Sequence, residues 1–306
     1  MLLECVPNFS EGRRADVIMA IATAAKMPGV RVLGIEGDAD HNRCVLTMVG
    51  EPQDLMEAVC RTAQVAVETI NLQEHHGTHP RMGAVDVIPF IPLQDATMAD
   101  AIRAAKGVGQ RLGEALQIPV YLYDQAATTP GRKNLADVRR GEFEGLAHRM
   151  ALDPPDFGPV IPHPTAGAIA VGARWPLIAF NVFLNTDNMD IAKRVARAVR
   201  GSSGGLVGVK ALAMNTASQG QVQVSLNLVD YPRTPLPRAI ELIRQEAMGF
   251  GVSVSRTELV GLMPVQALLD TARYYLQQPN LRLEQVLEWT LMETADAKPP
   301  LTEQKD

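Results

Sequence analysis

The sequence predicts an α+β fold made of two βαββαβ units in tandem. Three observations carry that prediction. Strand-like and helix-like segments follow in the order β-α-β-β-α-β up to residue 91, and the same order returns after residue 176. The stretch "DPPDFGPVIPHPTAG" over 153–167 holds five prolines, which rules out regular structure and reads as a linker or crossing loop. The chain has 306 residues, 46% hydrophobic and 21% charged, enough for one large or two ordinary cores. The expected boundaries are 1–176, 177–300 and a frayed tail over 301–306.

Each element has a local reason. "LLECVPNF" is a strand, and Ser10 is placed to cap a helix whose apolar residues Val17, Ile21 and Ala25 recur every four positions until "MPG". "VRVLGIEG" and "RCVLTMVG" are strands joined by the polar loop "DADHN". A helix over 52–70 starts on a proline and sets Leu55, Val59, Ala63, Ala66 and Ile70 on one face. "AVDVIPFI" closes the first unit. A further helix over 97–116 opens on Thr97 and Asp100, a capping-box pair, and leads to the strand "VYLYD". In the second half "LIAFNVFLN" is a strand, 188–200 a helix stopped by "GSSGG", "LVGVKALAM" and "QVQVSLNLV" a strand pair, 235–249 a helix and "VSVSRTELVGL" a strand. Two helices near 265–276 and 281–295 follow.

A βαββαβ unit is a ferredoxin-like arrangement, an antiparallel sheet with both helices on one face. Two of them leave two bare sheet faces, which pack best toward each other. In "QVQVSLNLV" the residues Val222, Val224, Leu226 and Leu228 can face the helices, leaving Gln221, Gln223, Ser225 and Asn227 opposite. Period-two counting does not separate a wet cleft between sheets from plain solvent exposure.

A net charge of −5 argues against a nucleic-acid partner. No apolar run reaches the roughly 20 residues a bilayer span needs, and "MLLECVPNFSEGRR" does not read as a secretory leader. Cys5, Cys44 and Cys60 fall in apolar periodic segments and read as buried thiols of a reducing, cytoplasmic protein.

"NLQEHHGTHPRMGAVDVIPFIP" sets three of the six histidines, His75, His76 and His79, within five residues. Gly77 and Pro80 break any helix across them, so they are not an H-E-x-x-H pair, and no cysteine or carboxylate joins them at ligand spacing. No metal site is expected. Proton transfer is the chemical reading: imidazole titrates near neutrality, Pro80 restricts His79 to extended backbone, Arg81 adds a cation and Asp86 is a possible orienting carboxylate. The alternative is a polar loop closing the preceding helix, where histidine is favoured. Composition does not choose between them. His41, His148 and His163 stand alone in the sequence.

The words "CVPNFSEG", "HHGTHPRMGAVDVIPFIP", "QRLGEALQIPVYLY", "PDFGP", "GARWPLIAFNVFL", "GLVGVKAL", "VQVSLNL" and "VGLMP" together resemble the glutamate formiminotransferases. The resemblance runs in order over almost the whole chain. It implies two ferredoxin-like subdomains whose sheets face each other across a tunnel holding tetrahydrofolate, the co-substrate. It implies transfer of a formimino group from N-formimino-L-glutamate, in histidine breakdown, without the deaminase of the bifunctional relatives, whose chains continue further. The last histidine of H-H-G-x-H, His79, is then catalytic. The folate segment falls on Pro162, His163, Pro164, Thr165, Ala166, Gly167, Ala168, Ile169, Ala170 and Val171, although "HPTAG" stands where other members have an aromatic residue before the glycine.

Both substrates carry carboxylates, which guanidiniums bind bidentately. Arg43, Arg81 and Arg174 are the candidates, with Asn42 beside them. A cationic amidine calls for an acidic neighbour, Glu36 or Asp38, which otherwise read as turn residues. A homodimer is expected by analogy. Transfer of a formyl group from N-formylglutamate, a metal-dependent hydrolase and a non-catalytic folate-binding module are the alternatives.

Overall fold

The computed structural model describes residues 1–216 and 220–296. It is an α+β structure with two sheets, and its contacts divide the chain into two compact units. One holds 1–176 with 214–223 and 260–262; the other holds 177–213, 224–259 and the rest from 263 onward.

In the first unit β1 (Leu3–Cys5) and β2 (Asn8–Phe9) are two pieces of one interior strand. After them come α1 (Ala15–Ala24), β3 (Val30–Asp38), β4 (Arg43–Gly50), α2 (Pro52–Thr69), β5 (Val85–Pro92), α3 (Met98–Ala115) and β6 (Val120–Asp124). Short helices α4 (Leu135–Val138) and α5 (Leu146–Leu152) precede β7 (Ile169–Ala173). The sheet runs β3-β4-β1/β2-β5-β7-β6, antiparallel as far as β5 and parallel from β5 through β7 to β6.

One face of this sheet carries Cys5, Phe9, Cys44, Leu46, Met48, Ile88, Phe90 and Val171, all buried in one core with α2 and α3. The helices complete it through faces that follow helical spacing: Leu55, Ala58, Val59, Ala63 and Ala66 on α2, and Ala101, Ala104, Ala105, Val108 and Leu112 on α3. Small residues let α3 approach closely. At Gly113 a Cβ would collide with the backbone of Gly158. The other face, at its β5-β7-β6 end, is covered by α4 and α5 through Val87, Ala170, Tyr121, Val138, Leu146 and Met150.

The later elements are β8 (Ile178–Leu184), α6 (Met189–Val199), β9 (Val209–Thr216), β10 (Gln221–Leu228), α7 (Leu236–Met248), β11 (Val254–Val260), α8 (Val265–Tyr275) and α9 (Leu287–Asp296); they form the second unit except for the strand ends 214–216, 221–223 and 260, which belong to the first. The sheet order of these strands is β11-β8-β10-β9.

Local departures have physical causes. Ser10 does not cap α1; its hydroxyl donates to the Gly83 carbonyl at 2.7 Å. The N-cap, Arg14, has no side-chain capping bond; Glu11 Oε1 instead accepts from the amides of Arg13 and Arg14, both at 2.9 Å, putting negative charge just ahead of the helix start. The Thr97–Asp100 capping box is present. The segment 153–167 is irregular as expected, and the last residues of the expected folate stretch, 169–171, enter β7. The loop 125–152 also holds two short helices that no apolar period announces. On β10 the polar residues are not uniformly wet: Gln223 is 1% exposed and Asn227 exposed. The expected tail over 301–306 lies outside the described residues.

Candidate active site

The loop between α2 and β5 carries the histidines, and the surroundings give them different tasks. His75 is buried with both ring nitrogens engaged. Its Nε2 donates to the Asn42 carbonyl at 2.8 Å and its Nδ1 accepts from Arg81 Nε at 3.3 Å. This is a neutral ring used as a strut, and burial pushes its pKa below the ordinary value. His76 is exposed, with its carbonyl accepting from Asn42 Nδ2 at 3.0 Å. None of the three caps α2, whose C-cap is Ile70.

His79 differs. Its Nδ1 lies 2.8 Å from its neighbour Pro80's carbonyl. A carbonyl only accepts, so Nδ1 carries the proton and Nε2 the lone pair. Among the described residues Nε2 has no hydrogen-bond partner. Burial, then the guanidiniums of Arg43 and Arg139, hold its pKa well below the ordinary histidine value; Asp86 and the Pro80 carbonyl oppose this only in part. The result is a half-buried imidazole, neutral at pH 7, with one free basic nitrogen.

His41, solitary in the sequence, stands against it. The two rings meet edge to face with centroids 6.1 Å apart. His41 is itself committed, with Nδ1 at 2.7 Å from Asp38 Oδ2 and Nε2 facing Met214 Sδ at 2.9 Å and Gln223 Nε2 at 3.3 Å. The turn that presents it depends on Asn42, in the left-handed region at φ 47°, a conformation asparagine tolerates better than most residues. Asn42 Oδ1 also accepts from the Gly12 amide at 2.9 Å, locking this turn to the end of β2.

Asp86, at the start of β5, does not bond the His79 ring as an orienting carboxylate. It is fully buried, and its Oδ2 accepts from Arg43 Nη1 and from Arg139 Nη2, both at 2.7 Å. Its Oδ1 accepts from the Met82 amide at 2.9 Å. Burial alone would raise its pKa, but Arg139, Arg43 and the amide bond outweigh it and hold the carboxyl at about 2. Arg43 reaches the cluster because alternation along β4 sends Cys44 into the helix-side core and Arg43 to the opposite face. There its Nε also donates to Asn8 Oδ1 at 3.1 Å.

The remaining candidates are placed as follows. Arg81 Nη1 and Nη2 hold Glu144 at 2.8 and 2.7 Å, and Nη1 reaches Glu142 at 3.2 Å, so its guanidinium is already paired. Arg174 follows β7, where Phe90 pairs with Ala173. Its amide donates to the Phe90 carbonyl and its Nη1 to the Trp175 carbonyl, both at 3.0 Å. Glu36 is exposed and its Oε2 accepts from the Gly261 amide at 2.8 Å. Asp38 is bound to His41 through its backbone amide as well as its ring; burial works against its ionisation, and the His41 bonds overcome it to lower its pKa.

The expected folate segment adjoins the histidine loop. The Leu72 amide donates to the Thr165 carbonyl at 2.8 Å, Ala84 to Ala166 at 2.9 Å and Ala168 to Met82 at 3.0 Å. At Gly83 a Cβ would overlap the Ala168 carbonyl, so the close approach requires glycine. Within the segment His163 and Gly167 exchange two backbone bonds of 3.0 Å, and His163 Nδ1 accepts from the Ala166 amide at 3.0 Å. Ala166, Ile169 and Val171 are buried toward α2 and α3. Side chains open to a ligand are therefore those of Pro162, His163, Pro164 and Thr165.

Arg139, the pairing of Gln223 with His41 and the role of His41 escaped sequence reasoning. Arg139 sits just after a four-residue helix with no periodic signal, and the His41 ring meets Met214, Gln223 and His79 through contacts distant in sequence. Among the described residues no group of three His, Cys, Asp or Glu side chains is arranged to hold a metal ion, and no helix is long and apolar enough to cross a membrane.

Comparison with known proteins agrees in extent and order. The family described as "Formiminotransferase domain, N-terminal subdomain" matches residues 2–174, and that described as "Formiminotransferase domain" matches 179–292. The chain is 45% identical to a glutamate formimidoyltransferase of Streptococcus pyogenes, covering 94% of this chain and 97% of that protein. It is also 45% identical to one of Thermoplasma acidophilum, covering 96% and 99%. A formimidoyltransferase-cyclodeaminase of Sus scrofa is 42% identical over 93% of this chain, which spans 54% of that longer protein. On these matches, which together span nearly all of its length, the chain belongs to the formiminotransferase family.

Proposed function

We propose that this protein is a glutamate formimidoyltransferase. It moves the formimino group of N-formimino-L-glutamate to tetrahydrofolate, giving 5-formimidoyltetrahydrofolate and L-glutamate, a step of histidine degradation. The observation that carries the chemistry is His79, a neutral ring with Nδ1–H fixed by Pro80 and Nε2 free.

The N5 amine of tetrahydrofolate attacks the amidine carbon and gives up its proton to His79 Nε2. The tetrahedral intermediate then collapses as the imidazolium delivers that proton to the glutamate nitrogen, and the carbon–nitrogen bond to glutamate breaks. The surroundings suit both halves. Burial and two guanidiniums keep the free base neutral, and the same positive field makes the protonated ring a strong acid. Holding the reactants in line supplies much of the remaining acceleration.

Around this centre we read residues 1–176 and 177–300 as tandem ferredoxin-like subdomains with folate in a tunnel between their sheets. Support comes from the strand orders β3-β4-β1/β2-β5 and β9-β10-β8-β11, the second- and third-strand pair standing outermost in both. Folate is bound along Pro162–Val171, with the exposed turn 162–165 making the side-chain contacts. The protein acts as a cytoplasmic homodimer.

The test is incubation with tetrahydrofolate and either N-formiminoglutamate or N-formylglutamate, with and without a chelator, following the folate spectrum. Transfer from the formimino donor, indifferent to chelator, is expected. Loss of activity with chelator, or transfer from the formyl donor alone, overturns the reading. The acid limb of kcat/KM is expected below the ordinary histidine value of about 6.5, because the folded environment lowers the His79 pKa and the base stays unprotonated further into acid. A pH–rate profile with its limb at or above that value contradicts the field described here.

A further inference from the structure

The Arg43–Asp86–Arg139 cluster has one more positive than negative charge. Both guanidiniums converge on the same carboxylate oxygen, and among the described residues no second carboxylate pairs with either. The side chains are 9%, 0% and 12% exposed, so water screens the surplus poorly. Arg139 Nε is buried without a hydrogen-bond partner. A buried cation with unused donors is costly unless an anion completes it. The cluster is tied to the histidine loop, since Asp86 Oδ1 accepts at 2.9 Å from the amide of Met82, three residues past His79, and both guanidiniums act on the His79 ring, so that anion belongs beside the reacting atoms.

We propose that Arg43 and Arg139 form the receptor for the α-carboxylate of the donor, with Arg139 the residue that sets specificity for it. The proposal rests on the transferase reading above. In N-formimino-L-glutamate the α-carboxylate is one carbon from the nitrogen that His79 protonates, whereas the side-chain carboxylate is three carbons away. A cationic pair next to the acid–base ring therefore meets the α-carboxylate first. Of the guanidiniums the sequence singles out, Arg81 is already held by Glu142 and Glu144, and Arg174 donates to the Trp175 carbonyl.

The experiment compares three donors, the N-formimino derivatives of L-glutamate, of 4-aminobutyrate, which lacks the α-carboxylate, and of L-2-aminobutyrate, which lacks the side-chain one. The wild type is expected to use the 4-aminobutyrate derivative poorly. Arg139→Gln is expected to raise KM about 10- to 100-fold for both α-carboxylate donors, the scale of a lost charge-assisted hydrogen bond. The 4-aminobutyrate derivative, with no α-carboxylate to lose, shows no such rise in KM, any change in kcat through the field at His79 is common to all three donors, and Arg139→Lys recovers part of the loss in KM. Tetrahydrofolate binding by calorimetry, equal in variant and wild type, shows that the variant folds. A wild type that uses the 4-aminobutyrate and glutamate derivatives equally well overturns the proposal, whatever the variants do. So does an Arg139→Gln variant that raises KM equally for all three donors. In both cases the transferase reading stands. A wild type that transfers from no donor overturns that reading and this proposal with it.

Discussion

Replacing His79 with alanine is expected to lower kcat by about 10²- to 10⁴-fold, the usual worth of a positioned general acid–base group, while tetrahydrofolate binding stays near normal. The ring's only protein hydrogen bond among the described residues runs to its neighbour's carbonyl, so removing it unties no other element. His75→Ala is the informative contrast. That ring bridges the Asn42 carbonyl and Arg81, and its loss leaves a buried acceptor and a guanidinium donor unpaired, at about 1–3 kcal/mol of stability. The His75 variant should therefore melt earlier with a smaller fall in kcat, and the His79 variant should do the reverse. Single-turnover kinetics with thermal denaturation separate the two. A His79→Ala enzyme with near-normal kcat and intact folate binding removes the proton-transfer assignment.

The contrast between the two histidines also marks where sequence reading stops. That the loop held chemistry-bearing residues was legible, because Gly77 and Pro80 break the helix and leave imidazoles clustered before a buried strand. Which ring is free was not. That depends on Asn42 and Arg81 occupying His75, and on Met214 and Gln223 occupying His41, contacts spanning up to 182 residues. The resemblance, rather than periodicity, pointed to His79.

For the fold, α2, α3 and the major strands were readable because one apolar face at a regular period decides each of them. The loop 125–152 was opaque for the opposite reason. Its short helices are held in part by Arg132 with Asp153 and Asp156, and by Arg132 and Arg149 over the Tyr121 ring at 5.0 and 4.9 Å. None of these contacts leaves a periodic trace. The strand β7 was hidden by its composition, since five residues dominated by Ala, Gly and Val after a proline-rich stretch look like loop until parallel partners appear on both sides.

Asp86→Asn is expected to destabilise the protein by about 3–5 kcal/mol, the range for removing one partner of a buried ionic group. The amide keeps the shape and one acceptor but deletes the only carboxylate paired with Arg43 or Arg139 among the described residues, leaving two cations in a water-poor pocket. The pH dependence follows from the lowered carboxyl pKa. In the wild type the carboxylate's contribution is complete above the unfolded value of about 3.9 and is lost as pH falls through about 2. The penalty in the variant should therefore be full at neutral pH and shrink in acid, as urea titrations at several pH values can show. Adding Arg139→Gln to Asp86→Asn removes one stranded cation and should recover part of the loss, a coupling a double-mutant cycle reads directly. If Asp86→Asn is neutral for stability and Arg139→Gln adds to it independently, the cluster is not the charged unit drawn here. The same substitution removes the carboxylate that partly counters the two guanidiniums at His79, so the acid limb of kcat/KM should move to still lower pH. A stability measurement and a rate profile thus test the same three side chains from opposite sides.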